Sequence, residues 1–259
     1  TWKLESQSKK SYIVTIKKKI CKVKLITFDA TNTLLKLCVS PWKYYANVAE
    51  KYGYQIHEDE IKKQFLYTYK MLTIRHPNFG KESILWENWW SEIVQGTFAE
   101  KIKDNEHIKC IGNKLIQDYK SPKCWCPADG AVDILEHVKS QCDIGIVSNF
   151  DPRLHEILEN LNLSSYFKFI LTSYEIGYSK PDKKIFESAI EHSKLNLFTD
   201  ECLHIGDDYK KDYLGAKKAG WQAILVTNNI SGLGDINPLH YFKNLHELKT
   251  AIEFQNKFS

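Results

Sequence analysis

An α/β fold, a parallel sheet with a helical unit inserted into it, is what this sequence predicts. Three observations carry that reading. Short apolar runs bounded by turn residues recur along the chain, and segments with helical spacing alternate with them. Between residues 38 and 127 the alternation stops, and only helical spacing remains.

The first 24 residues carry eight lysines and one acid, so residues 1–20 read as a basic extension ahead of the fold. The run "VKLITFD" (23–29) follows as a first buried strand, too short and too apolar for an amphipathic helix. Next come "PWKYYANVAEKYGY", "DEIKKQFLYTYKMLTIR" and "ILWENWWSEIVQGTFAEKI", whose apolar residues recur at helical intervals. They make residues 38–127 a helical cap placed over the carboxyl end of the first strand. Trp86, Trp89 and Trp90 are expected to form its packing core.

Alternation then resumes. "GAVDILEHVKSQ" from Gly130 is helical, "DIGIVSN" (143–149) a strand, and "DPRLHEILENLN" from Asp151 a helix with Pro152 at its first position. "FKFILTS" (167–173) and "CLHIGDD" (202–208) read as strands on either side of the helix "DKKIFESAIEHS" from Asp182. The helix "KDYLGAKKAG", closed by Gly220, leads into a last strand, "WQAILVTN" (221–228). Residues 21–37 and 128–259 therefore form one core, with strands alternating with helices on both sheet faces.

Composition narrows the function. Charged residues make up 26% and hydrophobic ones 43%, the balance of a soluble globular protein rather than a disordered or membrane one. A net charge of +4, much of it from the extension, is too small to argue for nucleic acid. No apolar run reaches membrane-span length and no signal peptide opens the chain, so no membrane partner and a cytoplasmic setting are expected. Seven scattered cysteines read as reduced thiols. Cys124 and Cys126 in "CWCPADG" lack the second pair that a structural zinc site wants.

Three predicted strands end in polar groups at one edge of the sheet. Asp29 follows the first, Ser148 and Asn149 the second, Asp207 and Asp208 the fourth. Any one of them alone is explained as a cap or turn residue. Together with Lys180 in "GYSKPDKKIF", on a loop before a helix starting near Pro181, they set carboxylates, a hydroxyl and a cation around one crevice. That combination suits a phosphate and a hard metal ion.

In order along the chain, "DATNT", "SN", "SKPD" and "GDDYKKD" resemble the four motifs of the haloacid dehalogenase superfamily, a likeness that spans residues 21 to about 228. The resemblance implies a Rossmann-like core with an α-helical cap between the first two motifs. It implies Asp29 as a nucleophile that forms an aspartyl phosphate, with Ser148 and the Asn149 amide binding phosphoryl oxygens and Lys180 balancing charge. It further implies Mg2+ held by Asp29, the Thr31 carbonyl and Asp207, with Asp212 or Asp208 completing the shell. The substrate implied is a small phosphorylated metabolite.

One position departs from the pattern. Two residues after the nucleophile the phosphatases of this superfamily usually carry a second aspartate, which protonates the leaving group and activates water; here it is Thr31. Threonine does not titrate near neutrality. Acid–base help is worth about 10²–10⁴ in rate, so slowed hydrolysis is expected. Two other readings stand beside the phosphatase: a catalytically weak member that binds a ligand or partner, which Thr31 favours, and a 2-haloacid dehalogenase, which the acidic "GDD" disfavours. Oligomeric state has no signature in the sequence.

Overall fold

The computed structural model describes residues 23–229, 234 and 236–256; the predicted basic extension lies outside them. Six strands form one sheet in the order β5-β4-β1-β6-β7-β8, every neighbouring pair parallel. They are β1 (Leu25–Phe28), β4 (Asp143–Ser148), β5 (Phe169–Thr172), β6 (Cys202–Gly206), β7 (Gln222–Val226) and β8 (Tyr241–Phe242). The first five lie within the apolar runs of the sequence. The two-residue β8, half-buried, was not foreseen, being too short to leave an apolar run.

Alternation along each strand feeds two cores. Ile26 and Phe28 of β1 join Ile144 and Ile146 of β4 and Leu203 and Ile205 of β6 on one face. Helices α5 (Ala131–Val138), α6 (Arg153–Asn160) and α8 (Leu245–Asn256) cover that face. Leu25, Val147 and Leu225 point the other way, against Ile185, Phe186 and Ala189 of α7 (Lys183–Ser193). This two-sided burial is why the strands read as continuous apolar runs.

Between β2 (Leu35–Leu37) and β3 (Trp125–Pro127), which pair antiparallel, lie α1 (Pro41–Glu50), α2 (Glu58–Arg75), α3 (Leu85–Phe98) and α4 (Asn105–Asp118). Their apolar faces bury Tyr45, Ile61, Phe98, Ile111 and Leu115 in a core of their own. The architecture is the predicted one, a parallel α/β core with an inserted helical cap.

Several local details differ from the sequence reading. Pro152 precedes α6 as its cap, and α7 starts at Lys183, with Asp182 accepting from the Lys184 amide. The stretch from Tyr209 to Leu214 is a π-helix, followed by a single α-turn, Gly215–Lys218. Of the three tryptophans only Trp89 is buried, beside Leu72 and Ile93. Trp90, partly buried, packs against this cluster, and both it and Trp86 lie against the Arg153 guanidinium, 4.4 and 5.6 Å from ring centroid to Cζ. Helical spacing puts Trp86 and Trp90 on one face, but their partner comes from α6, which spacing within α3 cannot reveal.

Candidate active site

Strand order reverses at β1, which has β4 on one side and β6 on the other, so the crevice of the sheet opens at their carboxyl ends. Asp29 follows β1 there, its amide donating to the Ile205 carbonyl at 2.9 Å. Its carboxylate is buried, and Oδ1 accepts from Lys180 Nζ at 2.7 Å. Lys180 Nζ also meets Asp212 Oδ1 at 2.6 Å and donates to the Val147 carbonyl at 2.7 Å. All three ammonium protons are used.

Asn149 fastens the loop that carries this lysine. Its side-chain amide donates to the Lys180 carbonyl at 2.9 Å, and its Oδ1 accepts from the Lys180 backbone N–H at 2.7 Å. The side chain of Asn149 is thus spent on positioning, a role additional to the phosphoryl-binding amide implied by resemblance. Ser148 is buried at the last position of β4.

Asp212 arrives from the π-helix, whose wide turn directs it back over β6. It needs Gly206: a Cβ at that residue would lie 2.3 Å from Asp212 Cγ. Asp212 Oδ2 accepts from the Asp208 amide at 2.9 Å, and Oδ1 from His204 Nε2 at 3.1 Å. Because an ionised carboxylate can only accept, Nε2 carries the imidazole proton, and Nδ1 accepts from Thr27 Oγ1 at 2.8 Å. Thr27 and His204 are direct cross-strand neighbours, both with no exposed surface. Burial holds His204 below the ordinary histidine pKa. Burial also opposes ionisation of Asp212, but Lys180 and His204 outweigh it and keep its carboxyl well below the usual range.

Asp207 has the opposite character. Burial and the charges of Asp29 and Asp212 push its pKa up to about 7. Lys180 is also penalised by burial, yet Asp212 and Asp29 raise its pKa above the ordinary lysine value. Asp29, Asp207 and Asp212 can each bring one carboxylate oxygen within 4.8 Å of the others. Three carboxylates against one ammonium leave negative charge uncompensated, and an all-oxygen donor set of this kind fits a hard divalent cation.

Asp208, the alternative fourth carboxylate, stands outside this group. Its Oδ1 caps the π-helix by accepting from the Lys210 and Lys211 amides, both at 2.9 Å, and its Oδ2 pairs with Lys211 Nζ at 3.1 Å. Of the two residues left open in sequence, Asp212 is the one brought to Asp29. Thr31, two residues beyond Asp29, is half-buried and lines a cavity shared with residues of the helical unit such as Trp42 and Phe65.

Residues 23–220 match the family model for a haloacid dehalogenase-like hydrolase. The chain belongs to this family. The Rhythmically expressed gene 2 protein of Drosophila melanogaster is 37% identical over 251 residues, 90% of this chain and 96% of that protein. Haloacid dehalogenase-like hydrolase domain-containing protein 3 of Bos taurus is 30% identical over 243 residues, 90% of this chain and 94% of that one. Among solved structures, a magnesium-bound HAD-hydrolase of Bacillus subtilis superposes with a TM-score of 0.65 at 19% identity, covering 89% of this chain and 99% of its own. The same fold serves a phosphatase of Thermococcus onnurineus and a 2-haloacid dehalogenase of Pseudomonas syringae, so the likeness shows the fold and leaves the reaction open.

This haloacid dehalogenase-like chain also holds residues that sequence reasoning passed over. Asp151 binds Arg153 in a two-pronged pair, Nε to Oδ1 at 2.9 Å and a terminal nitrogen to Oδ2 at 2.7 Å, and accepts from Trp90 Nε1 at 2.8 Å. The arginine and aspartate are both buried beside Asn149. The spacing in "DPR" was visible, but read as a helix start. His204 was visible as a polar residue inside the apolar run "CLHIG", a signal that its place opposite Thr27 explains. No helix among the described residues is long and apolar enough to cross a membrane.

Proposed function

We propose that this hydrolase cleaves a small phosphorylated metabolite through an aspartyl phosphate on Asp29, with magnesium as its cofactor. The observation that carries the reading is the convergence of Asp29, Asp207 and Asp212 on one point beside Lys180 Nζ. Magnesium bound by these carboxylates and the Thr31 carbonyl would supply positive charge against the phosphoryl oxygens.

The chain's own residues do the rest. One Asp29 oxygen attacks phosphorus in line, the bond from phosphorus to the ester oxygen breaks, and that oxygen keeps the electron pair. The Ser148 hydroxyl and the Asn149 backbone amide hold the transferring oxygens, while Lys180 offsets the charge shared by Asp29 and the phosphoryl group. Water then attacks phosphorus, releases inorganic phosphate and returns Asp29 as a carboxylate. No side chain at position 31 can donate or take the proton, so good leaving groups are favoured and the second step is slow. The six cysteines among the described residues, all free thiols, support a cytoplasmic setting.

Turnover of 4-nitrophenyl phosphate with and without magnesium tests the reading. Magnesium-dependent phosphate release, with radiolabel trapped on Asp29, is the expected result. Absence of release would leave a binding role, and chloride release from 2-chloropropionate without metal would make the protein a dehalogenase.

A further inference from the structure

His204 has no exposed surface and lies in the middle of the sheet, with Thr27 opposite it on β1 and Ala223 on β7. The Phe186 ring of α7 meets its imidazole edge-on, centroids 5.3 Å apart. An apolar side chain in this place would pack without the desolvation cost of a polar ring. What the imidazole adds is direction. Its Nδ1 accepts from Thr27 Oγ1 and its Nε2 donates to Asp212 Oδ1, so the ring is held at both ends and its proton faces the carboxylate.

Asp212 Oδ1 takes a second donor, Lys180 Nζ, whereas Oδ2 takes one, the Asp208 amide. A carboxylate oxygen offers two lone pairs, so Oδ1 is filled and Oδ2 keeps one for a cation or for a water held on it. What grips Oδ1 therefore decides where Oδ2 lies. Lys180 sets that direction poorly, because its ammonium is a rotatable point charge that also serves Asp29 and the Val147 carbonyl. A planar ring anchored on a β-strand sets it well. Resting on the magnesium reading of this site, we propose that His204 and Thr27 are positioning residues for the metal: the imidazole, fixed by Thr27, orients Asp212 so that Oδ2 stays available to the cation shared with Asp29 and Asp207.

Calorimetric titration of the full chain with magnesium, at one pH and without substrate, tests this. His204→Leu removes the donor and keeps an apolar side chain in its place. Affinity is expected to fall about tenfold or more, the scale for losing a partner that orients a metal ligand. His204→Gln, which can carry an N–H to the place of Nε2, should recover most of that loss. Thr27→Val frees one end of the ring at nearly unchanged volume and should weaken binding in the same direction by a smaller factor. In the metal-free wild type, long-range 1H–15N spectra are expected to show His204 protonated on Nε2. A proton on Nδ1, unchanged affinity in natively folded His204→Leu, or equal losses in the Leu and Gln variants would overturn the assignment. If His204→Leu does not fold, as judged by circular dichroism, Thr27→Val decides, and unchanged affinity there overturns it. A wild type that binds magnesium alongside indifferent variants sinks this inference alone; a wild type that binds none sinks the magnesium reading with it.

Discussion

Lys180 Nζ donates to Asp29 Oδ1 at 2.7 Å across 151 residues of sequence, and the same nitrogen meets Asp212 Oδ1 at 2.6 Å. Among the described residues, this ammonium is the lysine that contacts both Asp29 and Asp212 directly and offsets their charge. Lys180→Met should therefore leave Asp29 and Asp212 buried and uncompensated, at a cost of about 3–5 kcal/mol of stability. Urea denaturation would measure it, and added magnesium should recover part of the loss in the variant more than in the wild type.

Asp29→Asn keeps the shape of the side chain and removes its nucleophilic charge. We expect the fold to persist and turnover to fall by about 10⁴-fold or more, the scale for losing a covalent nucleophile. Activity within tenfold of wild type, measured with acetyl phosphate, would remove the covalent mechanism.

Asp207 gives the site a pH dependence. Its pKa is pushed up to about 7 in the metal-free fold, against 3.8 for the ordinary side chain. Between those values the folded state holds the proton more often than the unfolded one, so this group's contribution to stability falls as pH rises from 4 toward 7 and is lowest above 7. His204, kept neutral by burial, acts in the opposite direction below its ordinary pKa of 6.5. The measurement is accordingly a difference: without metal, Asp207→Asn should gain on the wild type as pH rises from 5 to 8. Magnesium must displace the same proton, so calorimetry should find affinity dropping by up to about tenfold per pH unit below 7.

Gly206→Ala tests the placement of Asp212. The added methyl would overlap the Asp212 carboxylate, with its carbon 2.3 Å from Cγ. Both are held on packed backbone, so the carboxylate must move away from Lys180 and His204. Magnesium affinity should fall at least about tenfold, as for losing an oriented ligand, while the circular dichroism spectrum stays native.

Thr31→Asp would place a titratable group where this family's phosphatases usually keep one. We expect faster loss of phosphate from Asp29 and a larger gain for alkyl than for aryl phosphates, within the roughly 10²–10⁴-fold range of acid–base catalysis. Rapid-quench assay of the phosphoenzyme would show the intermediate draining faster. A wild-type enzyme that accumulates none and gains nothing from aspartate would show that another group supplies the proton.

The sequence by itself determined the fold class, the five longer strands of the sheet, the helical insertion and the residues at the strand ends. Apolar runs record burial on both faces, and chain order alone places Asp29, Ser148 and Asp207 at one edge of a parallel sheet. The choice between Asp208 and Asp212 belonged to the tertiary structure. Both follow β6 within six residues, but a π-helix and the space above Gly206 turn only Asp212 toward Lys180, while Asp208 caps the turn that carries it. The same holds for the cavity. Trp90 is a helix-face aromatic like Trp89 in sequence, and becomes a wall beside Thr31 because Asp151 and Arg153, 61 and 63 positions away, supply the partners that hold it there. Periodicity reports which face of an element is buried; which element lies against it is fixed only when the whole chain packs.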